Sequence, residues 1–533
     1  MVLSHNEERD LYVALTRFNY FPNQKENMGE LPPCFSTRQF TPEVCEEIAT
    51  LNKSRKRKNS GFDAVEFRAT RYNNVSRTLT LIHPKAYSDL TKHIIDNWAS
   101  LRHISENENS HIKPNIREDG RVFVMNYENP LSKKRRIIQS SFAKKVQVST
   151  DIANCFNSVY SHSIAWAIVG LETAKTNRRS NGLWYNQMDI YTRACKRNET
   201  QGIPIGAGTS SIIIETILSR IDSKLREKEY TFERYVDDYT CYCSSESQSE
   251  AFIIDLEHML AEFKLSLNLG KTTVSKLPSH TEDDWVLELL SCIPATSIIE
   301  VDGIQTKVYF APECLTFINQ ALKINEKTPD GSVLKYAMQL IVSHLEEGGA
   351  DTVFQQILNL SWHYPILIPF LDKLCVAHQI NLESYEHQLN EIIVESAIKR
   401  RSDGMCWPLH IMYSHELKPS DEAIKKVIES EDCLALTLVV SYWEYIPAIK
   451  SLVDSKITND LYSKDNYWVL LYQLFINDLI ANPYDDETFN ILKRHNVNFL
   501  PGENKTEAEA ESDRIAASFI FPPITDSLPS SSS

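Results

Sequence analysis

The sequence has no long apolar run. Its longest stretches, such as Leu434 to Val440 and Pro365 to Leu371, fall far short of the ~18–20 residues that cross a bilayer, so no membrane association is expected. The start, MVLSHNEERDLYVALTRF, places Glu7, Glu8 and Asp10 where a signal peptide needs a basic start and an unbroken apolar stretch, so no export signal is visible. Cysteine is sparse: eleven residues, odd in number and scattered, exclude a disulfide framework and fit buried thiols in a reducing cytoplasm. The one close pair, Cys241 and Cys243, sits at period two in an apparent strand and reads as core packing rather than a metal site. No sequence period is clean enough to define a repeat. The C-terminal half lacks any His/Asp/Glu cluster with metal-ligand spacing, and Asp485-Asp486-Glu487 reads as a solvated loop, so a nuclease effector there has little support.

What is present is ordinary globular composition: 42% hydrophobic, 24% charged and 10% aromatic over 533 residues, enough for two or three domains. The net charge of -15 taken alone argues against a nucleic-acid binder, but the average conceals a segregated pattern. Residues 51–150 hold 20 Lys and Arg against 9 Asp and Glu, whereas residues 331–533 hold 15 against 29. The basic segment contains Lys53, Arg55, Lys56, Arg57 and Lys58, then Lys133, Lys134, Arg135 and Arg136, then Lys144 and Lys145. Tyr72, Phe123, Tyr127 and Phe142 are interleaved with them. Such clusters neutralise phosphates while neighbouring rings stack on bases; a solvated loop is the plainer reading of the first run.

From Lys145 to Ile152 the residues alternate like a strand whose end delivers Asp151, and His162 to Val169 reads as a helix. Gly202 to Ser211 is a Gly/Pro loop running into a buried helix over Ile212 to Asp222. Tyr235-Val-Asp237-Asp238 lies between aromatic and apolar runs and predicts a hairpin with the acidic pair at its turn. A helix over Glu250 to Phe263 and the element Leu265 to Thr272 follow. Beyond about residue 330 the pattern is helical throughout, as in Val333, Leu334, Ala337, Leu340, Ile341 and Leu345. Three carboxylates at neighbouring strand ends can hold two Mg²⁺ ions about 4 Å apart, one activating a hydroxyl and one neutralising a leaving phosphate. Asp151, Asp237 and Asp238 are the candidates. A lone Tyr-x-Asp-Asp is weak, because any surface turn can contain two aspartates, but the order of strand, loop-helix, hairpin and Leu-Asn-x-x-Lys-Thr element matches that of a polymerase palm.

Across roughly residues 60 to 280 the chain resembles reverse transcriptases, with Asp151 as the first-motif aspartate and Tyr235 to Asp238 as the aspartate-pair motif. Narrower similarity lies in Arg17-Phe-Asn-Tyr20-Phe21-Pro22, Glu30-Leu-Pro-Pro33, Arg77 to Pro84, and Asp151 to Trp166. These resemble the bacterial abortive-infection and defence-associated reverse transcriptases, the AbiK-like group. The resemblance implies an α+β fold: a right-hand fingers and palm core followed by an all-α, HEAT-like C-terminal domain. The expected divisions are an N-terminal segment at 1–60, fingers and palm at 61–275, a thumb-like connection at 276–330, helices at 331–525 and a disordered tail at 526–533.

By the same resemblance the protein is an RNA-directed DNA polymerase-type enzyme of antiphage defence that polymerises dNTPs with two Mg²⁺ ions. In some members synthesis is untemplated and primed from a tyrosine, leaving DNA covalently attached, and related polymerases assemble into homo-oligomers; RNA is a further expected partner. Phe156 falls where the family places the steric gate against a ribose 2'-hydroxyl, or is a core Phe. Pro204-Ile205-Gly206 stands where most members have Pro-Gln-Gly; Ile lacks the amide that hydrogen-bonds near the nucleotide, which places orthodox template-guided selection in doubt. Arg77, Lys134 and Arg136 are candidate triphosphate clamps or backbone contacts. Lys271 reaches either the primer end or the palm acids, or forms a structural salt bridge. Tyr20 and Tyr12 are priming candidates because they lie outside the palm in a potentially mobile N-terminal segment, with packing the alternative. A different class of function is a nucleic-acid-binding or sensing scaffold whose palm is not catalytic.

Overall fold

A computed structural model of the chain describes residues 5–22, 29–52, 57, 60–71, 75–116, 120–123, 130–301, 304–329, 332–457 and 460–500. The expected tail at 526–533, the basic residues Lys53, Arg55, Lys56 and Lys58, and Tyr72 and Tyr127 lie outside them.

The architecture is α+β. Strands β1 (Ala64–Thr70) and β2 (Ser76–Ile82) form an antiparallel hairpin. Strands β3 (Val146–Asp151), β4 (Thr231–Tyr235), β5 (Asp238–Cys243) and β6 (Thr273–Lys276) form an antiparallel sheet in the order β4-β5-β3-β6. A further hairpin, β7 (Ser297–Val301) and β8 (Ile304–Val308), follows in the segment expected to be thumb-like. In β3, Val146 and Val148 enter the core while Gln147 and Ser149 are half-exposed, the alternation that a sheet with one covered face requires. The helix Gly208–Glu227 supplies buried Ile213, Ile214, Ile217, Leu218 and Ile221 to the same core. It begins four residues before the expected Ile212, because Thr209, Ser210 and Ser211 are already helical.

The N-terminal segment is not a mobile arm. Tyr20 is fully buried, stacked on Tyr87 with ring centroids 3.9 Å apart, and its hydroxyl donates to the Ile82 carbonyl at 2.6 Å. Asn19 donates through Nδ2 to the Phe123 carbonyl, accepts from the Val122 N–H, and takes the Gly208 N–H on its own carbonyl. Gly206 has φ +119°, and a Cβ there would stand 2.3 Å from Pro22 Cβ, so this motif and the Gly/Pro loop meet where no larger residue fits.

The helical region begins at the helix Ala311–Lys327, ahead of the expected boundary at 331, and continues in helices to Arg494. It docks on the β1–β2 hairpin. The Trp468 indole donates to the Leu81 carbonyl at 3.0 Å, Asp403 accepts from both the N–H and hydroxyl of Thr70, and Ser402 accepts from the Arg68 N–H. Arg57 makes a two-pronged contact with Asp465 at 2.7 and 2.6 Å, both side chains being essentially inaccessible, and the Tyr484 hydroxyl and Asp63 N–H also donate to Asp465. One hydrophobic core therefore runs from Leu11 to Phe499. No helix among the described residues is long and apolar enough to cross a membrane. Replacing Asp465 with Ala strands the Arg57 charge in the core; chemical denaturation is expected to show a loss of about 3–5 kcal/mol, whereas Asp454→Ala on the surface changes little.

Candidate active site

The site grows from the ends of three sheet strands. Asp151 closes β3 and lies opposite Asp238, the first residue of β5, in antiparallel register. Val236 and Asp237 form the two-residue turn between β4 and β5, and the Ile152 N–H donates to the Asp237 carbonyl at 3.2 Å. Val236 has φ +53°, a conformation costly for a β-branched residue. Its carbonyl accepts from Arg234 Nη1 at 2.7 Å, which fixes the turn from beneath.

Arg234 is completely buried. It donates to both oxygens of Glu215 at 2.7 and 2.9 Å and to Asp222, both on the helix Gly208–Glu227, while the Tyr239 hydroxyl also donates to Asp222. Burial alone would lower the Arg234 pKa, but Asp222 and Glu215 outweigh it and hold it well above its ordinary value. Arg234 is thus a positioning residue for the acidic turn. Sequence reasoning missed it, although an Arg in a strand followed by an acidic turn, with acids at Glu215 and Asp222 in an apolar helix, carried the signal.

At the solvent end the carboxylates are less well neutralised. Burial first, then the charges of Asp151 and Asp238, push Asp237 up to about 6, and burial with Asp151 raises Asp238. Lys271 donates to Asp151 Oδ2 at 2.8 Å, and that bond, with the neighbouring aspartates, raises the Lys271 pKa. Asn268, unremarked within the Leu-Asn-x-x-Lys element, donates its N–H to the Asp151 carbonyl at 2.7 Å and its amide to Oδ2 at 3.2 Å. Among the described residues no three His, Cys, Asp or Glu side chains close into a ready metal cluster. The donor set is nevertheless of the right chemistry, because hard carboxylate oxygens suit Mg²⁺ and the surplus negative charge calls for a cation.

Phe156 lies on the short helix Cys155–Ser158, half-buried against the core, its carbonyl accepting from the Ile203 N–H of the Gly/Pro loop. The Ile205 carbonyl accepts from the Thr80 N–H at 2.9 Å, so this loop is tied to β2. The three proposed clamps are engaged within the protein. Arg136 bonds the Tyr235 hydroxyl at 2.7 Å and pairs with Glu233, bringing the basic helix Pro130–Ser141 to the aspartate hairpin. Lys134 pairs with Glu282 at 2.9 Å, and Arg77 lies 4.0 Å from Glu30. Tyr12 and Tyr20 are buried in the core, which leaves neither hydroxyl accessible for priming.

Residues 78–300, less than half of the chain, match the family model "Reverse transcriptase (RNA-dependent DNA polymerase)". These residues form a reverse-transcriptase domain. No curated protein matches the chain. Among solved structures, apo telomerase from Candida tropicalis truncated from its C-terminal domain aligns at 10% identity and TM-score 0.28 over 50% of this chain. The chain covers 59% of that protein's length. Full apo telomerase from C. tropicalis aligns at 10% identity and TM-score 0.30, over 76% of this chain and 70% of that one. Telomerase from Candida albicans with a telomeric RNA fragment gives 9% identity and TM-score 0.27, over 77% and 68%. Similarity at these scores carries no argument about this reverse-transcriptase domain.

The Asp237 shift has a defined pH signature. With a native pKa of about 6 against ~3.9 unfolded, the native state takes up the proton first, so this contribution to stability is complete below the unfolded value and is lost as pH rises through about 6. In chelator, Asp237→Asn is expected to melt above the wild type at pH 7.5, with the gap closing toward pH 4; thermal melts across that range check it.

Proposed function

We propose that the protein polymerises dNTPs with two divalent ions, preferably Mg²⁺, at Asp151, Asp237 and Asp238. The observation that carries this reading is the facing of Asp151 and Asp238 across β3 and β5 beside the Asp237 turn, in a domain of the reverse-transcriptase class. Such ions would lower the pKa of the attacking hydroxyl and neutralise the departing phosphate. The chain's own contributions are to converge three carboxylates, to hold the turn through Arg234, and to keep Lys271 against Asp151 as a mobile counter-charge. Phe156, beside the Gly/Pro loop, is proposed as the screen against ribonucleotides, and Arg77, Lys134 and Arg136 as cations that exchange their protein carboxylates for phosphates on binding. The biological setting we infer is antiphage defence by abortive infection, carried by the likeness of the N-terminal and first-aspartate motifs to that group. Untemplated synthesis fits Ile205 in place of Gln, with a HEAT-like helical half and homo-oligomer assembly as the accompanying expectation. If synthesis is protein-primed, the hydroxyl comes from a tyrosine other than Tyr12 or Tyr20.

A second reading, a nucleic-acid-binding scaffold with a silent palm, is favoured by one observation: Lys271 neutralises Asp151 where a metal would be needed. Purified protein with Mg²⁺ and labelled dNTPs, with and without added RNA template and primer, separates the two. Wild type is expected to incorporate label, and Asp237→Asn/Asp238→Asn to lose several kcal/mol of barrier lowering, on the order of 10³-fold in rate. Label migrating with the protein and shifted by nuclease and by protease marks self-priming, whereas RNA binding without incorporation under any condition supports the scaffold.

A further inference from the structure

The helical half carries a groove that the polymerase site does not use. It has a volume of about 550 Å³ and lies where the helices Ala311–Lys327, Ala350–His363 and Glu386–Ile398 meet. Gln355, Asn359 and Trp362 project from one face of the middle helix at spacings of four and three residues, and Gln388 and Glu391 face them from the third helix. Leu358 and Ile392, both 2% exposed, form its floor. The exposed side-chain amides of Gln355, Asn359 and Gln388 make no hydrogen bond within the described protein, so each keeps a donor and an acceptor open at the groove rim. Trp362 is 38% exposed and already carries the Lys399 ammonium 5.4 Å from its ring centroid, a demonstration of how it receives a cation.

Amides in a row match either nucleobase edges or the N–H and C=O groups of an extended peptide. Charge decides between them. Beside His387, the lysine at the groove, Lys399 on Trp362, is paired with Glu395, so Glu391 is left as the uncompensated charge, and residues 331–533 hold 29 acidic against 15 basic side chains, so a polyanion is repelled and a cation attracted. A second pocket of about 540 Å³ repeats the chemistry, with Tyr413, Tyr442 and Trp443 beside Glu416 and Glu444; Trp443 is 71% exposed. There too a lysine supplies the pattern: Lys418 pairs with Glu444 at 2.8 Å and lies 5.8 Å from the Tyr445 ring centroid.

We propose that the groove between Asn359, Trp362 and Glu391 binds an extended, lysine- or arginine-bearing peptide segment of a partner protein. The amides take its backbone, Trp362 the aliphatic stem beneath a cationic head, and Glu391 the charge. The test uses the full-length protein and fluorescence anisotropy with a labelled peptide of about ten residues alternating Lys and Ala, long enough to cross the groove. A Glu-Ala peptide and a single-stranded oligonucleotide of similar length serve as comparisons. The Lys-Ala peptide is expected to bind, and Asn359→Ala and Trp362→Ala each to weaken it about tenfold, about 1.4 kcal/mol. Glu391→Lys is expected to weaken it at least as much, while Asp454→Asn, elsewhere on the same acidic half, leaves it unchanged. The altered side chains are exposed or at the groove rim, so circular dichroism and melting temperature should match the wild type. The proposal is overturned if no peptide binds or if Asn359→Ala and Trp362→Ala bind like wild type. It is equally overturned if Asp454→Asn loses as much, which marks diffuse charge attraction, or if the oligonucleotide binds and is the ligand lost on Asn359→Ala.

Discussion

A single buried guanidinium holds the aspartate turn together. Arg234 joins objects that the chain brings in separately: the long helix through Glu215 and Asp222, the strand that follows the turn through Tyr239 acting on Asp222, and the turn itself through the Val236 carbonyl. Two carboxylates around one cation leave a net negative charge in the interior, tolerable only because each oxygen is hydrogen-bonded. The strained Val236 is held by this arrangement rather than by any preference of its own. Without it the aspartate pair would have a flexible two-residue turn in place of a fixed one.

The site therefore has two electrostatic layers of opposite character. Below, every carboxylate oxygen is hydrogen-bonded around Arg234 and the arrangement is closed to change. Above, three aspartates share little more than Lys271 and Asn268, and their mutual repulsion is expressed in the raised affinity of Asp237 for a proton. The lower layer spends folding energy on rigidity, and the upper layer remains an unsatisfied demand for positive charge at the end of that rigid frame. A surface loop containing two aspartates would have neither property.

Much of the palm was legible in the sequence because its signals are local. Strand alternation ending at Asp151 and the acidic turn between two aromatic runs are each readable within about ten residues. The extra first turn of the long helix was not, since Gly208, Thr209 and Ser210 are poor helix formers that tertiary packing overrides. Tyr12 and Tyr20 were candidates for priming because they fall outside the palm motifs, with packing the alternative; packing holds for Tyr20, although its partners Tyr87 and Trp468 lie far along the chain. Likewise Asp403 with Thr70 and Asp465 with Arg57 join residues more than 300 positions apart, and no periodicity records such contacts. Arg57 read as one member of a basic run, phosphate-binding or solvated, and proved to be a core residue.

The closure of the β1–β2 hairpin by Trp468 and Asp465 also sets a timetable. During synthesis the hairpin leaves the ribosome about 400 residues before Phe499, an interval of roughly 20–80 s at ordinary elongation rates. Throughout that time the Leu81 carbonyl and the rings of Tyr20 and His83 lack their late partners Trp468, Tyr484, Phe489 and Phe499, although Tyr87 and Phe62 are already present. The nascent N-terminal half therefore waits, incompletely packed, for Asp465 and Trp468 to arrive. A chain cut short before Asp465 would carry Asp151, Asp237 and Asp238 with the β1–β2 hairpin uncovered, so the aspartate turn and the cover of that hairpin are supplied by widely separated stretches of sequence.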